Sequence, residues 1–111
     1  MDDASVNEIS VDELREALTK SCRLVDVREP DEYAAGHVPG AVSIPLSQVP
    51  ARIAEIVDAG GPIYMICRSG ARSENACRLL REGGHAAINV VGGTMAWIVN
   101  GHDVVEGDSP Q

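Results

Sequence analysis

The stretch Cys67-Arg68-Ser69-Gly70-Ala71-Arg72-Ser73 decides how this chain is organised. The apolar run Ile63-Tyr64-Met65-Ile66 precedes it and predicts a buried strand. The residues from 74 to 82 follow it with helical periodicity, and Gly83-Gly84 ends them. Where a strand passes through a short glycine-containing loop into a helix, backbone N–H groups and the positive end of the helix dipole meet at one point. Such a point holds anions and favours a thiolate over a thiol.

The bulk composition fits one globular domain. The chain has 111 residues and a net charge of −8, and it contains no Phe. An acidic chain argues against general nucleic-acid binding and against an anionic membrane surface. The cysteines Cys22, Cys67 and Cys77 are odd in number and irregularly spaced, which fits neither a disulfide framework nor a zinc site. An acidic, polar N-terminus and the lack of a long apolar run favour the cytoplasm.

Strand and helix patterns alternate along the chain. Short strands are predicted near Ile9 and over 24–27, 41–44, 62–66 and 87–90, with a possible edge strand at 103–105. Helices are predicted over 10–20, about 49–58, about 73–82 and about 94–99, with one further turn near Pro30. Residues 1–7 and 106–111 are predicted to be flexible termini around a single domain at 8–105. The alternation indicates an α/β fold with a mostly parallel sheet.

Cys67 ends a predicted strand, and ligand sites in parallel sheets lie beyond the carboxyl ends of the strands. We therefore predict that Cys67 is a nucleophile that acts as a thiolate. Loop N–H groups, the helix N-terminus, and Arg68 or Arg72 are expected to lower its pKa. Arg72 is favoured over Arg68 as the substrate contact, and Gly70 is expected to turn backbone N–H groups inward.

Several further residues have structural interpretations. Asp26 and Arg28 end a neighbouring predicted strand, and we expect them to brace the loop rather than to perform chemistry. His37 is expected to hold its turn by hydrogen bonds. Cys77 lies on the apolar face of its helix and is interpreted as a core residue rather than a resolving thiol, while Cys22 has no evident role.

Five separate stretches together resemble the rhodanese-like domain family, of the single-domain, thiosulfate sulfurtransferase type. They occur in this order: Val25-Asp26-Val27-Arg28 with Glu32-Tyr33; Gly36-His37-Val38-Pro39-Gly40-Ala41; Ile44-Pro45-Leu46; the Cys67–Ser73 loop; and Gly92-Gly93 with Ala96-Trp97. The resemblance implies a three-layer sandwich with a five-stranded central sheet. It also implies a Cys67 nucleophile and an active loop formed by Arg68, Ser69, Gly70, Ala71, Arg72 and Ser73.

The family's activity implies transfer of a sulfane sulfur. The donor is thiosulfate or a persulfide, the acceptor is cyanide or a thiol, and the sulfur travels as a Cys67 persulfide. No metal or organic cofactor is required. Phosphatase-like loops place their Arg six positions after the Cys, whereas Arg72 lies five positions after Cys67. The shorter loop suits one sulfur atom better than a whole tetrahedral oxyanion.

Three alternatives remain. The first is a relay module that receives persulfide sulfur from a partner protein and passes it on. Phosphatase or arsenate reductase activity is disfavoured by the loop length. An inactive scaffold is disfavoured because Cys67 is present.

Overall fold

The computed structural model describes residues 7–58 and 60–111. Strands and helices alternate along these residues as the sequence predicts. Two short 3-10 turns, Leu46–Gln48 and Pro50–Arg52, lead into the third helix. The elements in chain order are β1 (Asn7–Ile9), α1 (Val11–Ala17), β2 (Arg23–Asp26), α2 (Pro30–Ala35), β3 (Val42–Ser43), α3 (Ile53–Val57), β4 (Ile63–Ile66), α4 (Ala71–Glu82), β5 (Ile88–Val90) and α5 (Gly93–Val99).

The five strands form one sheet in the order β1-β5-β4-β2-β3. Every pairing is parallel, so the prediction of a five-stranded, mostly parallel sheet is confirmed. Strand β4 is central and all four of its residues are buried. The chain leaves β2 toward β3 on one side, and it leaves β4 toward β5 on the other. The carboxyl ends of β2 and β4 therefore form the point of strand-order reversal, where open α/β sheets bind ligands.

Apolar side chains cover both faces of the sheet, which makes the three layers of the sandwich. One face packs against α3 and α4 through residues such as Met65, Ile56 and Leu80. The other packs against α1, α2 and α5 through residues such as Leu14 and Trp97. Side chains alternate between the two faces along a strand. Cys67 continues this alternation beyond β4 and lies on the α4 face.

Local sequence explains where the helices begin. Ser10 caps α1. Its side chain accepts a hydrogen bond from the Glu13 N–H, and the Glu13 side chain accepts one from the Ser10 N–H, which is the predicted capping box. Pro30 occupies the first turn of α2. Helix α4 begins at Ala71, two residues earlier than predicted, because Gly70 takes a left-handed conformation and starts the helix directly after the loop. Arg72 therefore belongs to the first helical turn.

The C-terminal tail lies against α2 and the turn after it, in the stretch for which the sequence predicts a flexible terminus. Val105 forms an antiparallel bridge with His37. Gly107 N–H donates to Ala34 O, and Gly40 N–H donates to Pro110 O. The tail follows the turn because that turn's backbone groups and its buried histidine need hydrogen-bond partners. At the other end of the chain, Asn7 belongs to β1, and the remaining residues of the predicted flexible start lie outside the described part.

Candidate active site

The loop after β4 places one sulfur atom against a set of hydrogen-bond donors. The Gly70 N–H donates to Cys67 Sγ at 3.1 Å, and the Ser73 hydroxyl lies 3.3 Å from the same sulfur. Gly70 has φ +116°, a conformation that suits glycine and turns its N–H toward the sulfur. The loop thus places a backbone donor and a side-chain donor against the Cys67 sulfur.

The surroundings of Cys67 shift its pKa downward, although the residue is only 1% exposed. Burial is the largest influence and acts to raise the pKa of the thiol. Hydrogen bonds from the Ser73 hydroxyl and from the backbone N–H groups of Ser73, Gly70 and Ser69 outweigh burial, and the pKa lies below its ordinary value. These donors replace the water that would otherwise solvate a thiolate.

The two loop arginines have different surroundings. Arg72 forms a bidentate ion pair with Glu32, with Nη1 to Oε1 at 2.8 Å and Nη2 to Oε2 at 3.0 Å. This hydrogen bonding lowers the pKa of Glu32 to about 2 and raises that of Arg72. Arg68 is exposed, and its side chain makes no hydrogen bond or ion pair with the described residues. The sequence favoured Arg72 as the substrate contact, whereas it is the Arg68 guanidinium that has no partner among the described residues.

Asp26 and Arg28 form a buried ion pair beside the loop. Arg28 Nε and Nη2 donate to the Asp26 carboxylate, the latter at 2.8 Å. Arg28 Nη2 also donates to Gly36 O at 2.8 Å. The pair therefore joins the end of β2 to the turn after α2. Among the described residues, neither side chain hydrogen-bonds to the Cys67–Ser73 loop, so bracing of that loop stays a prediction.

The N-terminus of α5 closes the loop from the opposite side. Thr94 N–H and the Thr94 hydroxyl donate to Cys67 O, and Met95 N–H donates to Arg68 O. Gly93 permits this approach, since a Cβ there would lie 2.6 Å from Arg68 O. Helix α5 therefore fixes the carbonyl groups of the first two loop residues. The sequence marked Gly92-Gly93 as the turn into the last helix and as part of the resemblance, but not as the point of close approach to the loop.

Asn89 is a site residue that the sequence analysis missed. It lies in the middle of β5 and is 3% exposed. Its amide Nδ2 donates to Gly70 O at 3.1 Å, and its Oδ1 accepts a short hydrogen bond from the Ser73 hydroxyl. The available signal was a single amide within the apolar run of β5, because a buried amide needs hydrogen-bond partners.

The other two cysteines lie outside this site. Cys77 is buried on the core face of α4, and burial raises its pKa to about 12. Cys22 is half-buried near the end of α1, and burial raises its pKa as well. The position of Cys77 agrees with its interpretation as a core residue. The position of Cys22 gives that residue no role.

A cavity of about 310 Å³ adjoins the loop. Its polar wall includes Arg28, Glu32 and Arg68, and its apolar wall includes Met95 and Ile98. Both apolar side chains are about half exposed. The entrance to the site therefore combines the exposed Arg68 guanidinium with an apolar rim.

Within residues 7–58 and 60–111, none of the helices combines the length and the apolar character that a membrane span requires. No group of three or more His, Cys, Asp or Glu side chains there is placed to hold a metal ion.

Comparisons with known proteins agree with this architecture. A family model described as "Rhodanese-like domain" matches residues 10–100. A protein of Allochromatium vinosum named "Sulfurtransferase" is 39% identical over 103 residues, which cover 90% of this chain and 95% of that protein. The "Thiosulfate sulfurtransferase PspE" of Escherichia coli is 39% identical over 70 residues, covering 62% of this chain and 67% of that protein.

A solved structure of a similar protein has the same fold. The rhodanese-like domain protein from Staphylococcus aureus superposes with a TM-score of 0.77 at 34% identity, over 83% of this chain and 91% of that one. The similarity extends over the sheet and its flanking layers rather than over an isolated motif, since most of both chains is covered.

Proposed function

Because the chain belongs to the rhodanese-like domain family, we propose that it is a sulfurtransferase in which Cys67 carries the sulfur. The observation that carries this proposal is the set of hydrogen-bond donors around Cys67 Sγ, which lowers the pKa of a buried thiol. A thiolate is the nucleophile that sulfur transfer requires. The sulfurtransferase names of similar proteins support the same reaction class.

The first step uses thiosulfate as the donor. The Cys67 thiolate attacks the outer sulfur of thiosulfate and forms a new S–S bond, while the S–S bond of thiosulfate breaks and sulfite leaves with the electron pair. The Arg68 guanidinium, which has no partner among the described residues, binds the donor's sulfonate oxygens. Arg72 serves as a second contact only when it releases Glu32.

The second step returns the enzyme to its starting state. A thiolate or cyanide attacks the terminal sulfur of the Cys67 persulfide. The S–S bond to Cys67 breaks, its electron pair returns to Sγ, and the acceptor leaves with the sulfur. The loop N–H groups that hold the thiolate also hold the persulfide anion. The cycle is ping-pong and uses no step that needs an oxidant or reductant.

The test combines sulfite release with intact-protein mass. Incubation with thiosulfate alone should release one equivalent of sulfite per chain and add the mass of one sulfur atom to the protein. Cys67→Ser should abolish both signals. Cys77→Ser is the matched control, since it removes a buried thiol of the same helix region and should leave both signals intact. A wild-type protein that gains no sulfur would contradict the proposal of a thiosulfate enzyme.

A second candidate is a relay module that accepts sulfur from a partner protein. The exposed apolar side chains of α5 beside the loop, Met95, Ile98 and Val99, favour it. A sulfur adduct on Cys67 that forms with a cysteine desulfurase as the donor, and not with thiosulfate, would support the relay over the thiosulfate enzyme.

A further inference from the structure

Asn89 is a polar residue in a position that the fold would otherwise fill with an apolar side chain. It is paired in register with Met65 of β4, so its side chain lies on the same face of the sheet as Cys67. Its neighbours in β5, Ile88 and Val90, pack into the opposite core. Burying an amide is unfavourable unless its donors and acceptor are bonded. The contacts of Asn89 therefore identify its role.

The orientation of the Asn89 amide follows from its partners. Gly70 O lies 3.1 Å from Nδ2, and a carbonyl oxygen can only accept a hydrogen bond. The amide N–H₂ group must therefore face Gly70, which leaves Oδ1 facing the Ser73 hydroxyl. Gly70 O also accepts the Glu74 N–H, the first such bond of α4. Asn89 thus holds the loop and the start of the helix together.

The Ser73 hydroxyl is the group on which the inference depends. It has one proton and three acceptors within reach: Cys67 Sγ at 3.3 Å, Gly70 O at 3.2 Å, and Asn89 Oδ1, which is the nearest. A hydroxyl donates only one hydrogen bond of full strength at a time. Asn89 and Cys67 therefore compete for the same proton. All of these groups are buried, so no solvent water supplies a further hydrogen bond to either acceptor.

We propose that Asn89 is a positioning residue whose neutral amide oxygen shares the Ser73 proton with the Cys67 sulfur and releases it whenever the sulfur is negatively charged. When Cys67 is a neutral thiol, the hydroxyl proton points to Asn89 Oδ1. When Cys67 ionises, its own proton leaves to solvent and the Ser73 hydroxyl rotates toward the sulfur. The Ser73 proton stays bonded to Oγ throughout. A hydrogen bond to an anion is the stronger one, which drives the rotation.

The neutrality of the amide is essential to this exchange. A carboxylate in the same place would be a charged acceptor and would retain the Ser73 proton against the thiolate. An apolar side chain of similar size would not compete, and the proton would remain with the sulfur or with Gly70 O. In the proposed sulfur-transfer cycle, on which this part of the inference rests, the persulfide anion uses the same hydroxyl.

The experiment measures alkylation of Cys67 by iodoacetamide across pH, with the modified cysteine identified by mass spectrometry. Asn89→Asp should lower the rate at neutral pH by about tenfold or more, because the thiolate loses a charge-assisted hydrogen bond. Asn100→Asp adds the same charge at an exposed position at the end of α5 and should leave the profile unchanged. An Asn89→Asp profile that coincides with the wild-type profile would overturn the proposal.

Repeating the substitution in a Ser73→Ala variant distinguishes competition for the Ser73 proton from simple charge repulsion. In Ser73→Ala there is no hydroxyl to compete for, so Asn89→Asp should lower the rate about tenfold less there than it does when Ser73 is present, and the loss that remains is the effect of the charge alone. An equal effect in both backgrounds would show repulsion only and would refute the proton-sharing role. Far-ultraviolet circular dichroism of each variant establishes that it is folded.

Asn89→Leu keeps the proposal testable if the aspartate variant fails to fold. Without a competing acceptor, its alkylation rate should stay within about threefold of the wild-type rate, whereas Ser73→Ala should fall about tenfold. A residue that merely braced Gly70 would give an Asn89→Leu rate as low as that of Ser73→Ala, and this result would contradict the inference. Alkylation needs no sulfur donor, so these outcomes are independent of sulfite release, which tests the proposed function.

Discussion

Cys67 and Cys77 lie ten positions apart in the same strand-loop-helix unit, and they differ in chemistry although they share burial. Their exposed fractions are 1% and 2%. The pKa of Cys67 lies below its ordinary value, whereas burial, with a smaller contribution from Glu74, raises that of Cys77 to about 12. Desolvation opposes ionisation at both sites. The difference comes from donors, because Cys67 receives hydrogen bonds from Ser73 and the loop backbone.

This comparison teaches that exclusion of water does not by itself set the reactivity of a thiol. Burial among apolar groups raises the pKa of a thiol, whereas N–H and O–H groups that replace the lost water lower it. Arginine charge contributes less here than the sequence suggested, since Glu32 neutralises Arg72. Two experiments test this conclusion and a third tests the Arg72–Glu32 pair, in order of decreasing expected effect.

The largest effect should be the difference in alkylation between the two cysteines. With a pKa of about 12, Cys77 is ionised at neutral pH to only about one part in 10⁵, so Cys67 should react with iodoacetamide at least about 10³ times faster. Peptide mapping after timed labelling measures both rates in one sample. Comparable labelling of the two residues in folded protein would contradict the proposed difference between their pKa values.

Ser73→Ala should produce the next effect. It removes the side-chain donor but keeps the backbone N–H, and one hydrogen bond to an anion is worth about 1.5 kcal/mol or more, so alkylation of Cys67 at neutral pH should fall about tenfold. Ser69→Ala is the matched control, because Ser69 acts on the sulfur through its backbone N–H, which the substitution keeps. An equal loss in both variants would show that the hydroxyl has no special part.

The smallest effect should come from the charge pair. Glu32→Gln should lower the free energy of unfolding at neutral pH by less than about 1 kcal/mol, because both partners are about one-third exposed, at 30% and 35%. Glu32 has a pKa of about 2 in the folded protein against 4.5 ordinarily, so its contribution is complete above pH 4.5 and is lost as the pH falls toward 2.

Urea unfolding of wild type and Glu32→Gln across this pH range measures the difference. The two stabilities should converge near pH 2. Arg72→Gln combined with Glu32→Gln should add little to the single change, since the pair is already broken. A stability difference that persisted unchanged to pH 2 would show that the ion pair is not its source.

Much of the fold could be predicted from local pattern. The buried β4, the capping box of α1 and the glycine-limited helices depend on periodicity and on residues close in sequence, which is why their existence and type agree with the structure. Boundaries were less accurate. Helix α4 starts earlier than predicted because Gly70 begins the helix within the loop itself.

The sequence by itself determined the fold class and the placement of Cys67 at a strand end, because both follow from alternating strand and helix patterns and from one contiguous loop. Only the tertiary structure decided how the surrounding groups are paired. Glu32 reaches Arg72 and Asn89 reaches Ser73 across long stretches of chain. Side-chain pairing between distant elements depends on register and packing, and local sequence carries neither. The same physical reason made Asn89 visible only once β5 was placed beside β4.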